Sequence, residues 1–123
     1  MKVLPALFML SMAPALIAPA RSAQIDLACE SGCISADSLQ VADAIRVGLA
    51  RHGVTVMRHT NGRELPLTVT GRITVQGDTV RVAAEFLELE HAIARYTVRA
   101  RRTDLTVQVL QMGDRFGRAV IEP

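Results

Sequence analysis

Lysine is almost absent from this chain of 123 residues: Lys2 is the single one, and every later basic residue is arginine. From Arg21 onward, thirteen arginines face twelve aspartates and glutamates, which leaves a formal charge near +1. A balance this close to neutral lacks the electrostatic footprint of a nucleic-acid-binding protein. The preference for arginine over lysine is more typical of genomic base composition than of a function.

Catalytic and cofactor-binding motifs are also missing. No serine lies in the G-x-S-x-G pattern of a nucleophile elbow, and no glycine-rich loop has the spacing that holds phosphates. The three histidines, His52, His59 and His91, are isolated from one another. We interpret His52 as structural, because it follows a predicted helix whose dipole favours a cation there. The sequence therefore predicts a protein that is not an enzyme and holds no cofactor.

Long apolar runs are missing after residue 20, but residues 3–20 are almost wholly apolar. An early charge at Lys2, an apolar core and the small residues Ala18-Pro19-Ala20 form the pattern of a secretory signal peptide. We predict a signal peptide over residues 1–20; cleavage after Ala23 is an alternative. An uncleaved membrane anchor is the other interpretation of a run of this length, although its three prolines oppose it. We therefore expect a periplasmic protein that does not span the membrane after cleavage.

The part after the signal peptide, residues 24–123, is about 100 residues long and predicts a single small domain. It contains two cysteines, in the sequence CESGC. Because an exported protein enters an oxidising compartment, we expect a disulfide between Cys29 and Cys33. The alternative is a copper-type metal site formed by the two thiolates and a distant histidine.

Hydrophobic periodicity divides the first half of this domain into a strand, a helix and a second strand. The first strand is expected over 24–28, a loop over 29–36, a helix capped by Ser35 or Asp37 that runs to about His52, and the second strand over 54–59. Gly53 follows the helix where a left-handed C-cap residue is wanted. A strand-helix-strand order predicts a parallel crossover connection.

The stretch GRITVQGDTVRVAAEF, residues 71–86, alternates apolar and polar residues on both sides of Gly77. Alternation around a glycine turn predicts a β-hairpin, which we place at the centre of the sheet. The alternation changes phase at Phe86-Leu87, which predicts either a bulge or the end of the strand. A last strand follows Glu90-His91.

The final segment predicts a helix that begins after Thr103-Asp104, although its local run LTVQVL favours a strand by propensity. We expect Gly113 and Gly117 to weaken this helix by about 1 kcal/mol each relative to alanine. The predicted fold class is α+β: a two-layer sandwich of order β-α-β-β-β-β-α, with a mixed sheet and two helices on one face. The apolar residues at helical spacing are Leu105, Val109, Met112, Phe116 and Val120.

The sequence pattern of the hairpin resembles the central hairpin of the TolB amino-terminal-like domains. The pattern is G-x-I followed by G-D-x-V-R-V-x-A, from Gly71 to Ala84. That group includes curli-secretion (CsgG-type) and flagellar FlgO-type periplasmic proteins. Two further features agree with this resemblance: the first helix ends near a Gly-x-x-Val (Gly53 to Val56), and the last helix opens with Asp104-Leu105. The similarity spans residues 37–121. The resemblance implies a non-catalytic envelope domain that acts by contacting other proteins.

The polar side of the predicted sheet carries the candidate binding residues. Threonine and arginine alternate on it, which suits an exposed antiparallel sheet. A simply solvated face is one interpretation; a docking surface for another envelope protein or an anionic polymer is the other, because arginine forks bind carboxylates bidentately. The sequence leaves the oligomeric state open. The candidate arginines are Arg72, Arg81, Arg95 and Arg99.

Overall fold

The computed structural model describes residues 21–57 and 65–121. Within them the chain has the order β-α-β-β-β-β-α, which confirms the predicted fold class. The elements are β1 (Arg21–Ser31), α1 (Ser35–Ala50), β2 (Val54–Val56), β3 (Leu67–Gln76), β4 (Thr79–Glu88), β5 (His91–Arg101) and α2 (Leu105–Ile121). Neither helix of the described segments is long and apolar enough to cross a membrane. The predicted signal peptide lies outside the described residues.

The strands form one mixed sheet in the order β2-β1-β3-β4-β5. Strand β1 runs parallel to both of its neighbours, β2 and β3. The pairs β3–β4 and β4–β5 are antiparallel. The parallel pairing of β1 with β2 through helix α1 confirms the predicted crossover connection. The predicted hairpin is β3–β4, and it does include the central strand of the sheet.

The core lies between the sheet and the two helices. Alternate residues of the central hairpin, such as Val69, Ile73 and Val82, have no exposed surface. The rings of Phe86 on β4 and Phe116 on α2 are 5.3 Å apart, a distance at which aromatic pairs add stability. Both helices contribute to this one core, so both lie on the same face of the sheet. Their fully buried residues are Val41, Ile45, Leu49, Leu105, Val109 and Phe116.

Strands β1 and β2 differ in length from the prediction. Strand β1 was expected over 24–28 but covers Arg21–Ser31, so Cys29 belongs to a strand and not to a loop. It extends because it lies between two partners: residues 21–23 pair with β2, and the ladder with β3 continues to Ser31. Pairing with neighbours, which no local pattern reveals, sets strand length here. Strand β2 has only three residues, Val54–Val56.

Helix α1 begins at Ser35 with Ile34 as its N-cap residue, so the prediction of a Ser35 or Asp37 cap is wrong. Asp37 instead acts from the third helical position, where its carboxylate accepts a hydrogen bond from the Ile34 N–H at 2.9 Å. This is the back-reaching half of a capping box. The helix ends at Ala50, slightly before the predicted His52, and Gly53 has the expected left-handed conformation with φ +78°.

The two hairpin turns of the sheet place different residue types at positive φ. Gly77 takes a φ of +63° in the β3–β4 turn, as the sequence predicts. In the β4–β5 turn the residues with positive φ are Leu89 and Glu90, at 49° and 73°. The predicted bulge is present: Phe86 pairs with Ala94 and Leu87 with Ala92, so one extra residue of β5 lies between them.

Helix α2 forms despite the strand propensity of its first turns. Its apolar stripe buries Leu105, Val109 and Phe116 completely, and this burial outweighs the local preference. The glycines, however, do more than weaken the helix. A Cβ on Gly113 would lie 2.6 Å from the Ile45 carbonyl oxygen, and one on Gly117 would lie 2.7 Å from the His52 ring. Gly113 is therefore needed for close contact with α1, and Gly117 for contact with His52, which follows α1.

Gly48 of α1 faces Gly113 across the helix pair. A Cβ on Gly48 would lie 2.5 Å from the Asp114 nitrogen and 2.7 Å from the Leu110 carbonyl oxygen. Both are backbone atoms of α2, so neither can move aside without displacing the helix. The two glycines therefore set how closely the helices approach.

We expect Gly48→Ala to destabilise the protein by about 2 kcal/mol, the scale of an overpacked core. Helix propensity alone would give the opposite sign, a gain of about 1 kcal/mol. Urea denaturation followed by circular dichroism measures the free energy of unfolding. Val47→Ala, at the exposed neighbouring position, is the control and should change stability by less than about 0.5 kcal/mol. A Gly48→Ala protein as stable as the wild type would contradict close helix contact.

The position of signal-peptide cleavage decides whether β1 keeps its pairing with β2. All three residues of β1 that pair with β2 precede Gln24, and one of them, Ala23, is fully buried. Cleavage after Ala20 keeps this ladder, whereas cleavage after Ala23 removes it. We expect intact-mass measurement of protein purified from the periplasm to give a chain that starts at Arg21. A chain starting at Gln24 would contradict this, and an uncleaved mass would support the anchor interpretation.

Candidate interaction surface

The face of the sheet opposite the helices, here called the open face, is built by the polar positions of four strands. Because side chains alternate along a strand, the residues between the buried ones all point to this side. All four predicted arginines lie on it and all four are exposed. Across the described strands the open face includes Gln24, Asp26, Ala28, Thr68, Thr70, Arg72, Thr74, Gln76, Thr79, Arg81, Ala83, Glu85, Leu87, Arg95, Thr97, Arg99 and Arg101.

The strand register arranges these residues in rows across the sheet. One row runs from Ala28 through Arg72 and Ala83 to Thr97. The small side chains of Ala28 and Ala83 leave a shallow depression of about 600 Å³ near the middle of the open face. Arg72 and Arg95 line it from different strands. The carboxylates of Asp26 and Glu85 line it as well, so a side chain that protrudes from a partner would enter the sheet surface among side chains of both charges.

Two of the predicted arginines have carboxylate partners on the open face. Arg72 lies 3.4 Å from the Glu30 carboxylate, which also accepts a hydrogen bond from the Thr74 hydroxyl at 3.2 Å. Arg95 forms an ion pair with Glu85, the residue directly opposite it in the ladder. Both pairs are largely exposed, so they contribute little to stability. Both guanidinium groups lie at the lining of the depression.

The other two arginines, Arg81 and Arg99, face each other. They are directly opposite in the β4–β5 ladder. Within residues 21–57 and 65–121 neither has an ion-pair partner. Arg101, two residues further along β5, has none there either. Like charges directly opposite on a sheet reduce its stability, so this end of the open face is a concentration of positive charge that an anion would relieve.

The sequence predicted which face these arginines share but not how they pair. The pairing could nevertheless have been obtained from the sequence, because counting residues outward from each hairpin turn gives the register of the two strands. Glu88 opposite His91 fixes the β4–β5 ladder, apart from the bulge. That bulge shifts the register by one residue, and without it Arg99 would not lie opposite Arg81.

Cys29 and Cys33 are joined by a disulfide in the structure, with their Cα atoms 6.0 Å apart. The bond links the end of β1 to the segment before α1, where Gly32 takes a φ of +76° and lies against the Val75 carbonyl. It closes a very small loop, so it restrains this corner more than it stabilises the fold.

The metal-site alternative finds no support in the described segments. A disulfide leaves no thiolate free to bind a metal. No group of three or more potential ligands lies together among residues 21–57 and 65–121. His59 lies outside the described residues, and His52 is hydrogen-bonded to Asp114.

His52 links the two helices through a hydrogen bond. Its Nε2 donates to the Asp114 carboxylate at 2.8 Å, and Arg118 contacts the other carboxylate oxygen at 2.8 Å. The hydrogen bond from His52 lowers the pKa of Asp114 below its ordinary value of 3.8; the charges of His52, Arg118 and Arg51 act in the same direction, against partial desolvation. The predicted structural role of His52 therefore has a partner that the sequence did not indicate, 62 residues away.

A second contact missed by sequence reasoning ties α1 to the start of α2. The Asp37 carboxylate, only 2% exposed, is 2.7 Å from the Arg102 guanidinium, which follows β5. A buried carboxylate is tolerated when such partners satisfy it. Neither this pair nor the His52 pair lies on the open face, so both position the helices and neither is a candidate binding residue.

Comparison with solved structures shows the fold. The PelC dodecamer from Paraburkholderia phytofirmans is 12% identical, with a TM-score of 0.56 over 85% of this chain and 91% of that one. TolB from Acinetobacter baumannii is 14% identical, with a TM-score of 0.54 over 85% of this chain and only 28% of that one. Lipoprotein GNA1162 from Neisseria meningitidis is 15% identical, with a TM-score of 0.52 over 85% and 95%.

These similarities confirm, at the level of fold, the resemblance to TolB-like domains inferred from the hairpin. The chain spans nearly the whole of PelC and of GNA1162 but only about a quarter of TolB. No protein-family profile matches the chain. No curated protein sequence matches it either.

The Asp114 contact gives a pH-dependent prediction. Asp114→Asn should destabilise the protein at neutral pH. Because the pKa of Asp114 is lower in the folded protein, its contribution is complete above the ordinary pKa and is lost as the pH falls through the lowered value. The difference in unfolding free energy between wild type and Asp114→Asn should therefore shrink as the pH falls below about 3.8.

Urea denaturation from about pH 7 to about pH 2.5 measures this difference. Asp43→Asn is the matched control, because Asp43 is exposed on α1 and pairs only with its neighbour Arg46 at 3.4 Å. It should change stability little at any pH. A difference for Asp114→Asn that stays constant down to the lowest pH would rule out the proposed contribution of the carboxylate.

Proposed function

We propose that this protein is a non-catalytic interaction module of the cell envelope that docks on a partner protein through the open face. The supporting observation is the Arg81–Arg99 pair: two exposed arginines, directly opposite each other beside a shallow depression, that no carboxylate of the described residues neutralises. A protein gains nothing in stability from this arrangement. An acidic partner surface would neutralise it, and planar guanidinium groups bind carboxylates bidentately.

The envelope part of the proposal rests on the predicted signal peptide and on the character of the structural neighbours. One neighbour that this chain covers almost completely is described as a lipoprotein, and another as a dodecamer. This fold therefore serves elsewhere as the unit of an assembly. TolB, of which this chain spans a small part, carries the same fold within a longer protein.

The composition of the open face supports the proposal of docking on a protein. Its centre is small and partly apolar, around Ala83, and its rim is polar and charged. Interfaces between proteins share this division, with arginine among the enriched residues. We expect a carboxylate of the partner to lie between Arg81 and Arg99 and an apolar side chain to fill the depression.

Site-specific photo-crosslinking in intact cells tests the proposal. A photo-reactive amino acid in place of Thr97, at the depression, should crosslink to one protein partner. The same residue in place of Val107, exposed on α2, provides the control position. Combining the Thr97 probe with Arg81→Glu and Arg99→Glu should reduce the crosslinked product at least about tenfold, because charge reversal turns attraction into repulsion.

The matched charge control is Arg46→Glu with Arg51→Glu, which makes the same change in net charge on α1 and at the residue that follows it. It should leave the Thr97 crosslinks intact. All variants need an unchanged melting temperature for the comparison to apply. Equal crosslinking from the Thr97 and Val107 positions, or crosslinks insensitive to reversal of Arg81 and Arg99, would contradict docking through the open face. Crosslinks to a polysaccharide in place of a protein would identify an anionic polymer as the ligand.

A further inference from the structure

Strand β5 is the long unpaired edge of the sheet. It extends over eleven residues, His91–Arg101, and within the described residues its only strand neighbour is β4. The opposite edge is β2, with three residues. An edge strand presents a row of unpaired N–H and C=O groups to which another extended segment can pair. The described part of the molecule therefore has one edge long enough for stable strand addition.

A groove follows this edge on the helix side. It has a volume of about 300 Å³ and lies between β5 and α2. Polar side chains, among them Gln108 and Gln111 of α2, form most of its lining. Half-buried Tyr96 and Val98 of β5 and buried Met112 of α2 form the smaller apolar part, and the Arg115 guanidinium lies 5.3 Å from the centre of the Tyr96 ring. A strand added beside β5 would direct every second side chain into this groove.

The other side chains of an added strand would lie beside the open-face residues of β5. These include Arg95, Arg99 and Arg101 at alternating positions, whereas no aspartate or glutamate occurs in β5. A second copy of β5 would bring arginines next to arginines, which is destabilising. Charge complementarity therefore favours a different occupant, one with carboxylates at alternate positions.

We infer that the β5 edge binds an extended segment of a partner protein in which apolar and acidic residues alternate. The backbone of that segment pairs with β5, its apolar side chains pack against Tyr96 and Val98 in the groove, and its carboxylates pair with Arg99 and Arg101. This mode of recognition takes its affinity from main-chain hydrogen bonds and its specificity from alternate side chains. It goes beyond the proposed docking on the open face, because it requires the edge.

A pair of synthetic peptides tests the inference. Both are capped at each end, about nine residues long, and contain the same numbers of valine and glutamate. In one the two residues alternate; in the other the glutamates are gathered in one half. Binding is measured by fluorescence anisotropy, and amide hydrogen exchange reports which backbone N–H groups become protected.

The alternating peptide should bind at least about tenfold more tightly than the block peptide, because only it can place apolar and acidic groups on opposite sides of one strand. It should also slow exchange within residues 93–101. Equal binding of the two peptides would overturn the inference, since charge alone would then explain it. Binding without protection of β5 would overturn it as well.

Variants locate the charged contacts. Arg99→Glu with Arg101→Glu should weaken the alternating peptide at least about fivefold. Arg72→Glu, with the same type of change on the central strand β3, should alter its affinity less than about twofold. If the double variant does not fold, an alternating valine–lysine peptide tests the same point on the wild type, and it should not bind. Tight binding of that peptide would contradict the charge argument.

Arg81 separates this inference from the proposed function. It lies on β4, away from the edge, so Arg81→Glu alone should reduce the Thr97 crosslinks in cells but leave peptide binding nearly unchanged. Loss of crosslinks without any peptide binding would support open-face docking and reject strand addition. Peptide binding that protects β5, together with crosslinks that Arg81→Glu does not reduce, would support strand addition and reject open-face docking.

Discussion

The close contact of the two helices at Gly48 and Gly113 is the constraint on which the architecture depends. Helices with larger side chains at their contact lie 8–10 Å apart, and glycine at both positions removes the atoms that would separate them further. The pair can therefore rest on one face of a sheet whose strands are about 4.8 Å apart. With both helices on one side, the other side of the sheet receives no cover from the described elements.

The distribution of charge follows from this arrangement. Carboxylates near the helices are engaged in holding them: Asp37 with Arg102 and Asp114 with His52. On the open face, Glu30 and Glu85 are matched by Arg72 and Arg95. Among the described residues, the strand arginines without an ion-pair partner are Arg81, Arg99 and Arg101, which lie on β4 and β5; the unmatched Asp26 carboxylate lies on β1, away from the β5 edge. The protein is thus nearly neutral as a whole but locally basic where an extended or acidic partner can reach it.

Features set by residues close together in the sequence were predicted correctly, whereas features that depend on partners far apart in the sequence were missed. Alternation around Gly77 predicted the central hairpin, and the phase change at Phe86 predicted a bulge or a strand end, of which the structure has the bulge. The full length of β1 was missed, because Cys29 belongs to a strand only through its pairing with β3. The roles of Asp37 and Gly113 were missed for the same reason. Their partners, Arg102 and Gly48, are 65 residues away along the chain, and no spacing rule connects them.

The β4–β5 turn has an energetic consequence for the outermost strand. Leu89 and Glu90 occupy left-handed backbone conformations, which cost roughly 1–2 kcal/mol per residue for side chains other than glycine. The β3–β4 turn avoids most of this cost through Gly77. Of the two hairpin turns, the connection to β5 therefore has the higher conformational cost, and we expect local opening of the sheet to begin at this turn.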